Sequence, residues 1–179
     1  KIIYLHAREI IQRLGDNSID LGFSGYDLLA ESDAATQSKI QVIKKYNFGL
    51  CDLIIAVPDV WIDVQTIADL EEISFLFKEK KNKRLRVATK YPNLTKNFLY
   101  SKGITQFQIL KSLGSTEVAP FTNFSEVISE ITQTGKTIEE NNLRILSDSL
   151  ILKSQGCLMM SKISSKKKGI RKIINLLSR

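Results

Sequence analysis

Strand-like and helix-like stretches alternate along the whole chain, which predicts an α/β fold with mostly parallel sheets. A charged link, Lys78–Lys83, interrupts the alternation and predicts two lobes with a cleft between them. The 179 residues allow one large domain or two small ones, and 43% apolar with 25% charged residues is an ordinary globular balance. Residues 1–83 are expected to form the first lobe and 84–150 the second. Residues 151–179 then return to the first lobe and end in a helix.

Taken in order, Ile2–Leu5 has a strand pattern, and Ala7–Leu14 is a helix stopped at Gly15. After the turn Asp16-Asn17-Ser18 comes a buried strand, Ile19–Phe23. Ser24 is the candidate N-cap of a helix that starts at Tyr26. Phe48–Val57 is a strand ended by Pro58, and a helical piece covers Thr66–Glu72 and beyond. The second lobe begins with a strand at Leu85–Thr89. A helix at Asn93–Ser101 follows, with Pro92 before it and Gly103 as its stop. Phe107–Leu110 is a strand, Gly114-Ser115-Thr116-Glu117 a turn, and Glu126–Ile131 a strand. Leu143–Leu146 and Ile151–Met160 are extended. In the last segment, Ile170, Ile173, Ile174 and Leu177 share one helical face, expected to dock on the core.

Composition narrows the function. The longest apolar runs, Leu53–Val57 and Leu150–Leu152, are far too short to span a bilayer, and no signal-peptide pattern opens the chain. Cys51 and Cys157 stand alone, as expected of free thiols in a reducing compartment such as the cytoplasm or a plastid stroma. The net charge of +7 resides in Lys162–Arg179, which holds seven basic residues and no acid. Without that tail, 19 basic residues face 19 acids. With no aromatics interleaved, the tail is expected to be solvated rather than a nucleic-acid site.

The chemistry concentrates in Glu126–Ile138. An apolar strand carrying Glu130 runs into Gln133-Thr134-Gly135-Lys136-Thr137, a hydroxyl-and-glycine turn opening a helix. Such a turn offers backbone N–H groups and hydroxyls to a phosphate. A P-loop is excluded. Its first glycine would fall at position 130, where a carboxylate would repel the phosphates.

An acid separated by three residues from Thr-Gly-x-Thr is the form that phosphoribosyltransferases use for a pyrophosphorylated ribose. Three further stretches accompany it: Asp20-Leu21-Gly22-Phe23-Ser24-Gly25-Tyr26-Asp27, Arg86-Val87-Ala88-Thr89-Lys90-Tyr91, and Gly114-Ser115-Thr116-Glu117-Val118-Ala119-Pro120. Together they resemble the catalytic subunit of ATP phosphoribosyltransferase over residues 6–162. The resemblance implies a fold like periplasmic binding proteins of type II, and Mg²⁺ as cofactor. It implies displacement of pyrophosphate from phosphoribosyl pyrophosphate by N1 of the ATP adenine, the first step of histidine biosynthesis. Glu130, Gln133, Thr134, Gly135, Lys136 and Thr137 would then hold the phosphoribosyl group. Ser115, Glu117 and Glu126 would line the site from the same lobe; Ser24, Gly25, Lys90 and His6 complete the candidate lining. No catalytic residue and no protein metal ligand is nominated.

The pattern also departs from the family, which usually has Asp at 130, Ser at 133, Arg at 136, Arg at 6, Asp at 9 and Gly at 123. His6 either lines the cleft or ends a strand in solvent. The family's first strand and its Lys-Gly-Arg turn have no counterpart in residues 1–179, so the active site is expected to be incomplete in this segment. The extra C-terminal regulatory domain of the family's long form is expected to be absent. That resembles the short form, implying a homo-oligomer joined to a regulatory subunit related to histidyl-tRNA synthetase. A catalytically degenerate or purely ligand-binding paralogue is the alternative reading.

Overall fold

The computed structural model describes residues 1–177 and divides the chain into two compact units. In chain order the elements are α1 (Ala7–Gly15), β1 (Leu21–Gly25), α2 (Tyr26–Glu31), α3 (Ala34–Lys39), β2 (Ile40–Lys45) and β3 (Cys51–Pro58). Next come α4 (Ile67–Lys81), β4 (Leu85–Thr89), α5 (Pro92–Ser101), β5 (Phe107–Lys111), a 3₁₀ helix Thr116–Thr122, β6 (Val127–Thr132) and α6 (Lys136–Glu140). The chain closes with β7 (Leu143–Ile145), β8 (Leu152–Ser154), β9 (Gly156–Ser161), a 3₁₀ helix Lys162–Lys166 and α7 (Ile170–Leu177).

The first unit comprises Lys1–Leu50 and the chain from Ser154 onward. Its sheet has the order β1-β9-β2, with both pairings antiparallel. Cys157 and Met159 of the central strand pack with Ile11, Leu14, Leu29 and Ile40. Glu9 and Arg13 pair at 2.8 Å along α1, and Asp33 caps α3 by accepting from the Thr36 N–H. Neither α3 nor β2 is anticipated by the sequence reading. Ile2–Leu5, expected as a strand, lies outside every strand, with Ile2 and Tyr4 86% and 96% exposed. Extended backbone becomes a strand only through a ladder partner, and among the described residues none pairs with it.

The tail departs from expectation as well. Ile170 is buried, but Ile173 and Leu177 are 48% and 37% exposed. Only the first turn of α7 reaches the core, so the apolar face does not dock along its length. Arg179, the last basic residue of the tail, lies outside the described residues.

The second unit, Cys51–Lys153, holds a six-stranded sheet of order β5-β4-β6-β3-β7, with β8 also paired to β3. β4 runs parallel to both β5 and β6, while β3 is antiparallel to β6 and β7. The sheets are therefore mixed rather than mostly parallel. Alternation along β3 feeds two cores. Ile55 and Val57 face Val64, Ile67, Leu70 and Leu99, whereas Ile54 and Ala56 pack with Ala119, Ile138 and Leu143.

This arrangement moves the expected lobe boundary. Residues 51–83 belong to the second unit, because β3 is hydrogen-bonded within its sheet. The basic run Lys78–Lys83 is not a link between lobes. Its first four residues form the last turn of α4, whose start is fixed by a capping box between Thr66 and Asp69 and whose end is capped by Asn82 at φ +47°. Lysines there complement the carbonyl end of the helix.

In the first unit Asp20 ties the start of β1 to the tail, accepting from Lys167 Nζ at 2.6 Å and Ser164 Oγ at 2.5 Å. The Lys167 bond first, and the Ser164 bond second, hold its carboxyl below the usual carboxylate range. A lowered folded pKa gives stability that is present above the unfolded value and lost as pH falls through the folded one. Asp20→Asn should lower stability at pH 7 by at most about 1 kcal/mol, given the solvent screening of an exposed pair. The gap to wild type should close below about pH 4, and urea melts at pH 7 and 3 check this.

Candidate functional site

Because β5, β4 and β6 run parallel, their carboxyl ends lie along one edge of the sheet. In α/β sheets that edge is where ligands bind. Register places Thr89 beside both Lys111 and Ser129, so β4 and β5 finish level and β6 continues past them to Thr132. Lys90 follows β4, Ser115 and Glu117 follow β5, and Gln133–Thr137 follow β6. The second unit thus gathers nine of the thirteen candidate residues, Glu130 included, at one strand edge.

Glu130 is 8% exposed near the end of β6. One carboxylate oxygen accepts from the Ile131 N–H at 3.0 Å, and the other faces Lys90 Nζ at 3.3 Å. Below this pair lies a cluster of buried hydroxyls that the sequence reading does not single out. Thr95 donates to Ser129 Oγ at 2.9 Å, and Thr89 Oγ1 accepts from the Tyr91 N–H at 2.9 Å. These bonds fix the ends of β4 and β6 against the first turn of α5. Thr89 stands inside the stretch Arg86–Tyr91, which was the available signal.

The loop after β6 is built by its own side chains. Thr132 Oγ1 accepts from the Gly135 N–H at 2.9 Å, and Thr134 Oγ1 accepts from the Lys136 N–H at 3.4 Å. Gly135 sits at φ +80°, and its carbonyl accepts from the N–H groups of Ile138 and Glu139. Buried Ile138 anchors the loop, leaving Gln133, Thr134, Lys136 and Thr137 exposed. The N–H groups of Gln133, Thr134 and Thr137 have no acceptor among the described residues. Lys136 Nζ lies 3.5 Å from Glu140, with both side chains largely exposed. The loop therefore presents N–H groups, two hydroxyls and an ammonium to solvent, a donor set suited to a phosphate.

After β5, Ser115 is exposed, Glu117 is half-buried, and Thr116 is buried with its hydroxyl donating to Ser112 Oγ at 3.0 Å. The 3₁₀ helix ends at Asn123, φ +56°. Left-handed backbone accounts for glycine being usual there, and Asn is the side chain that tolerates it best.

Glu126 is not part of this edge. It precedes β6, about 20 Å from the loop by strand rise. It accepts from the Arg86 backbone N–H at 2.8 Å and from Arg86 Nη2 at 2.6 Å. That hydrogen bond raises the guanidinium pKa further above its ordinary value. Arg86 also donates to the carbonyl and side chain of Asn123, which makes the pair a clasp on the β5–β6 connection.

The first unit carries the remaining candidates. Ser24 Oγ donates to the Ala7 carbonyl at 2.9 Å, and Gly25 rather than Ser24 is the N-cap of α2. A Cβ on Gly25 would meet Asp27 Oδ1 at 2.3 Å. Exposed His6 is the N-cap of α1, its Nδ1 accepting from the Arg8 N–H at 3.4 Å.

The fold class follows from solved structures. The arginine-bound form of truncated ArgBP from Thermotoga maritima matches the whole chain, and 76% of its own, with a TM-score of 0.59 at 12% identity. The fold is accordingly that of periplasmic binding proteins of type II. The profile described as HisG, ATP phosphoribosyltransferase, matches residues 6–179. The ATP phosphoribosyltransferase of Mesorhizobium japonicum is 42% identical over 163 residues, covering 90% of this chain and 70% of that one. The ATP phosphoribosyl transferase (HisG:HisZ) complex from Thermotoga maritima aligns with a TM-score of 0.74 at 25% identity, over 98% of this chain and 75% of that one. The chain belongs to the ATP phosphoribosyltransferase family.

Gly135 carries a local test. A Cβ there would meet Ile145 Cδ1 at 3.6 Å, an ordinary contact, so the backbone conformation alone demands glycine. Gly135→Ala should destabilise the protein by about 1–2 kcal/mol, read as a lowered denaturant midpoint with an unchanged slope.

Proposed function

We propose that the carboxyl ends of β4, β5 and β6 hold the phosphoribosyl half of the reaction. The protein is a pentosyltransferase: it transfers phosphoribosyl from phosphoribosyl pyrophosphate to N1 of the ATP adenine and releases pyrophosphate. The observation that carries the site reading is the loop after β6, with Gln133, Thr134, Lys136 and Thr137 exposed, following the strand that carries Glu130.

In this reading the 5-phosphate takes the N–H groups of Gln133, Thr134 and Thr137, the hydroxyls of Thr134 and Thr137, and the charge of Lys136. Gly135 keeps the backbone clear of it. Glu130 accepts from the ribose hydroxyls, which it reaches from a position already fixed by the Ile131 N–H. Displacement at C1 breaks the C1–O bond, whose electron pair leaves with pyrophosphate, as the adenine N1 lone pair forms the C1–N bond. The protein's contribution is orientation and charge.

Among the described residues no three of His, Cys, Asp and Glu gather to hold a metal. A Mg²⁺ ion takes most of its ligands from phosphate and water with one or two carboxylates. The residues therefore fit an ion borne by the diphosphate and approached by Glu130, which when bound neutralises charge on the leaving group. Likeness to the HisG:HisZ complex supports assembly with a regulatory subunit.

With ATP, phosphoribosyl pyrophosphate and Mg²⁺, in the presence of the regulatory subunit, adduct absorbance should grow and chelation should stop it. Thr137→Val should lower kcat/KM on the order of tenfold, the loss of one hydrogen bond to a charged group. Full activity in a Thr134→Val/Thr137→Val double variant would remove the loop from the site.

A further inference from the structure

Lys90 and Glu130 repeat, at the carboxyl ends of β4 and β6, the pairing that Arg86 and Glu126 make at the amino ends. The two pairs differ in geometry. Arg86 engages Glu126 down to 2.6 Å and also donates to the carbonyl and side chain of Asn123. Lys90 stands 3.3 Å from Glu130, longer than a good charge-assisted bond. Its side chain is 38% exposed above a carboxylate that is 11% exposed. Glu130 does not depend on Lys90 for its orientation, since the Ile131 N–H holds its other oxygen. A partly exposed ammonium thus stands beside a nearly buried carboxylate at the end of β4.

Resting on the site reading above, the placement can be followed along the substrate. With the 5-phosphate on the loop after β6 and the ribose hydroxyls on Glu130, the substituent at C1 projects past Glu130. The neighbouring strand end, about 4.8 Å away, is that of β4, and it carries Lys90. A diphosphate brought there, even carrying its Mg²⁺, keeps net negative charge beside Glu130, which favours a protein cation between them. We propose that Lys90 is the specificity-determining residue for the anomeric diphosphate: it donates to the diphosphate and screens it from Glu130. The same contact stabilises the charge that the leaving group gains when the C1–O bond breaks. Lys90 thus separates the pyrophosphorylated sugar from plain ribose 5-phosphate, which the loop and Glu130 hold without it.

The test is calorimetric binding of phosphoribosyl pyrophosphate and of ribose 5-phosphate to wild type, Lys90→Met, Lys90→Arg and Thr137→Val. Lys90→Met should weaken phosphoribosyl pyrophosphate about tenfold or more and leave ribose 5-phosphate within about twofold. Lys90→Arg should recover most of the loss. Equal loss of both ligands in Lys90→Met would mean that Lys90 only supports Glu130, and unchanged binding of both would mean that it contacts neither; either overturns the proposal. Thr137→Val is expected to weaken both ligands alike. If it weakens neither while Lys90→Met remains selective, the loop reading fails and the assignment of Lys90 stands.

Discussion

The second unit depends on β4 running parallel to both of its neighbours. Leu85, Val87, Ala88 and Thr89 are completely buried, so this strand cannot slip without exposing both cores. Its fixed register brings the chain out of β4, β5 and β6 at the same side of the sheet, β6 reaching three residues further. Three connections that are remote in sequence thereby share one edge. A loop of donors, a buried carboxylate and an ammonium become neighbours through backbone pairing rather than through contacts of their own.

The same constraint gives β4 and β6 two chemically different ends. Arg86 and Lys90 are four residues apart on one strand, and Glu126 and Glu130 four apart on the other, so all four project from one face. At the amino ends the guanidinium saturates its acceptors and clasps the connection that carries Asn123. At the carboxyl ends the bond is longer and the lysine more exposed. Sequence similarity between the two acidic positions conceals that difference.

Local chemistry was legible where it is written in short motifs. Thr134-Gly135-Lys136-Thr137 announced a turn entering a helix, and the structure forms it with Gly135 at positive φ. Helices with clear stops, such as α1 at Gly15 and α5 after Pro92, were also readable. Strand direction was not, because the pattern of β3 is equally apolar in either sense and only its neighbours decide. Lys78–Lys83 looked like a linker since charge alone does not separate a helix end from a loop. Ile2–Leu5 carries a strand pattern without a ladder among the described residues. Glu126 was misplaced for a related reason: closeness in sequence to Glu130 is distance along an extended strand. The hydroxyls of Thr89, Thr95 and Ser129 become a cluster only when α5 folds back over the sheet.

The central claim is that the sugar phosphate binds at the carboxyl edge of β5-β4-β6. Titrating ¹⁵N-labelled protein with ribose 5-phosphate tests it most directly. Amide shifts should concentrate at Gln133–Thr137 and Ile131, while Arg86 and Glu126 stay unmoved. Shifts centred on Arg86, Asn123 and Glu126, with the loop unaffected, would contradict the account.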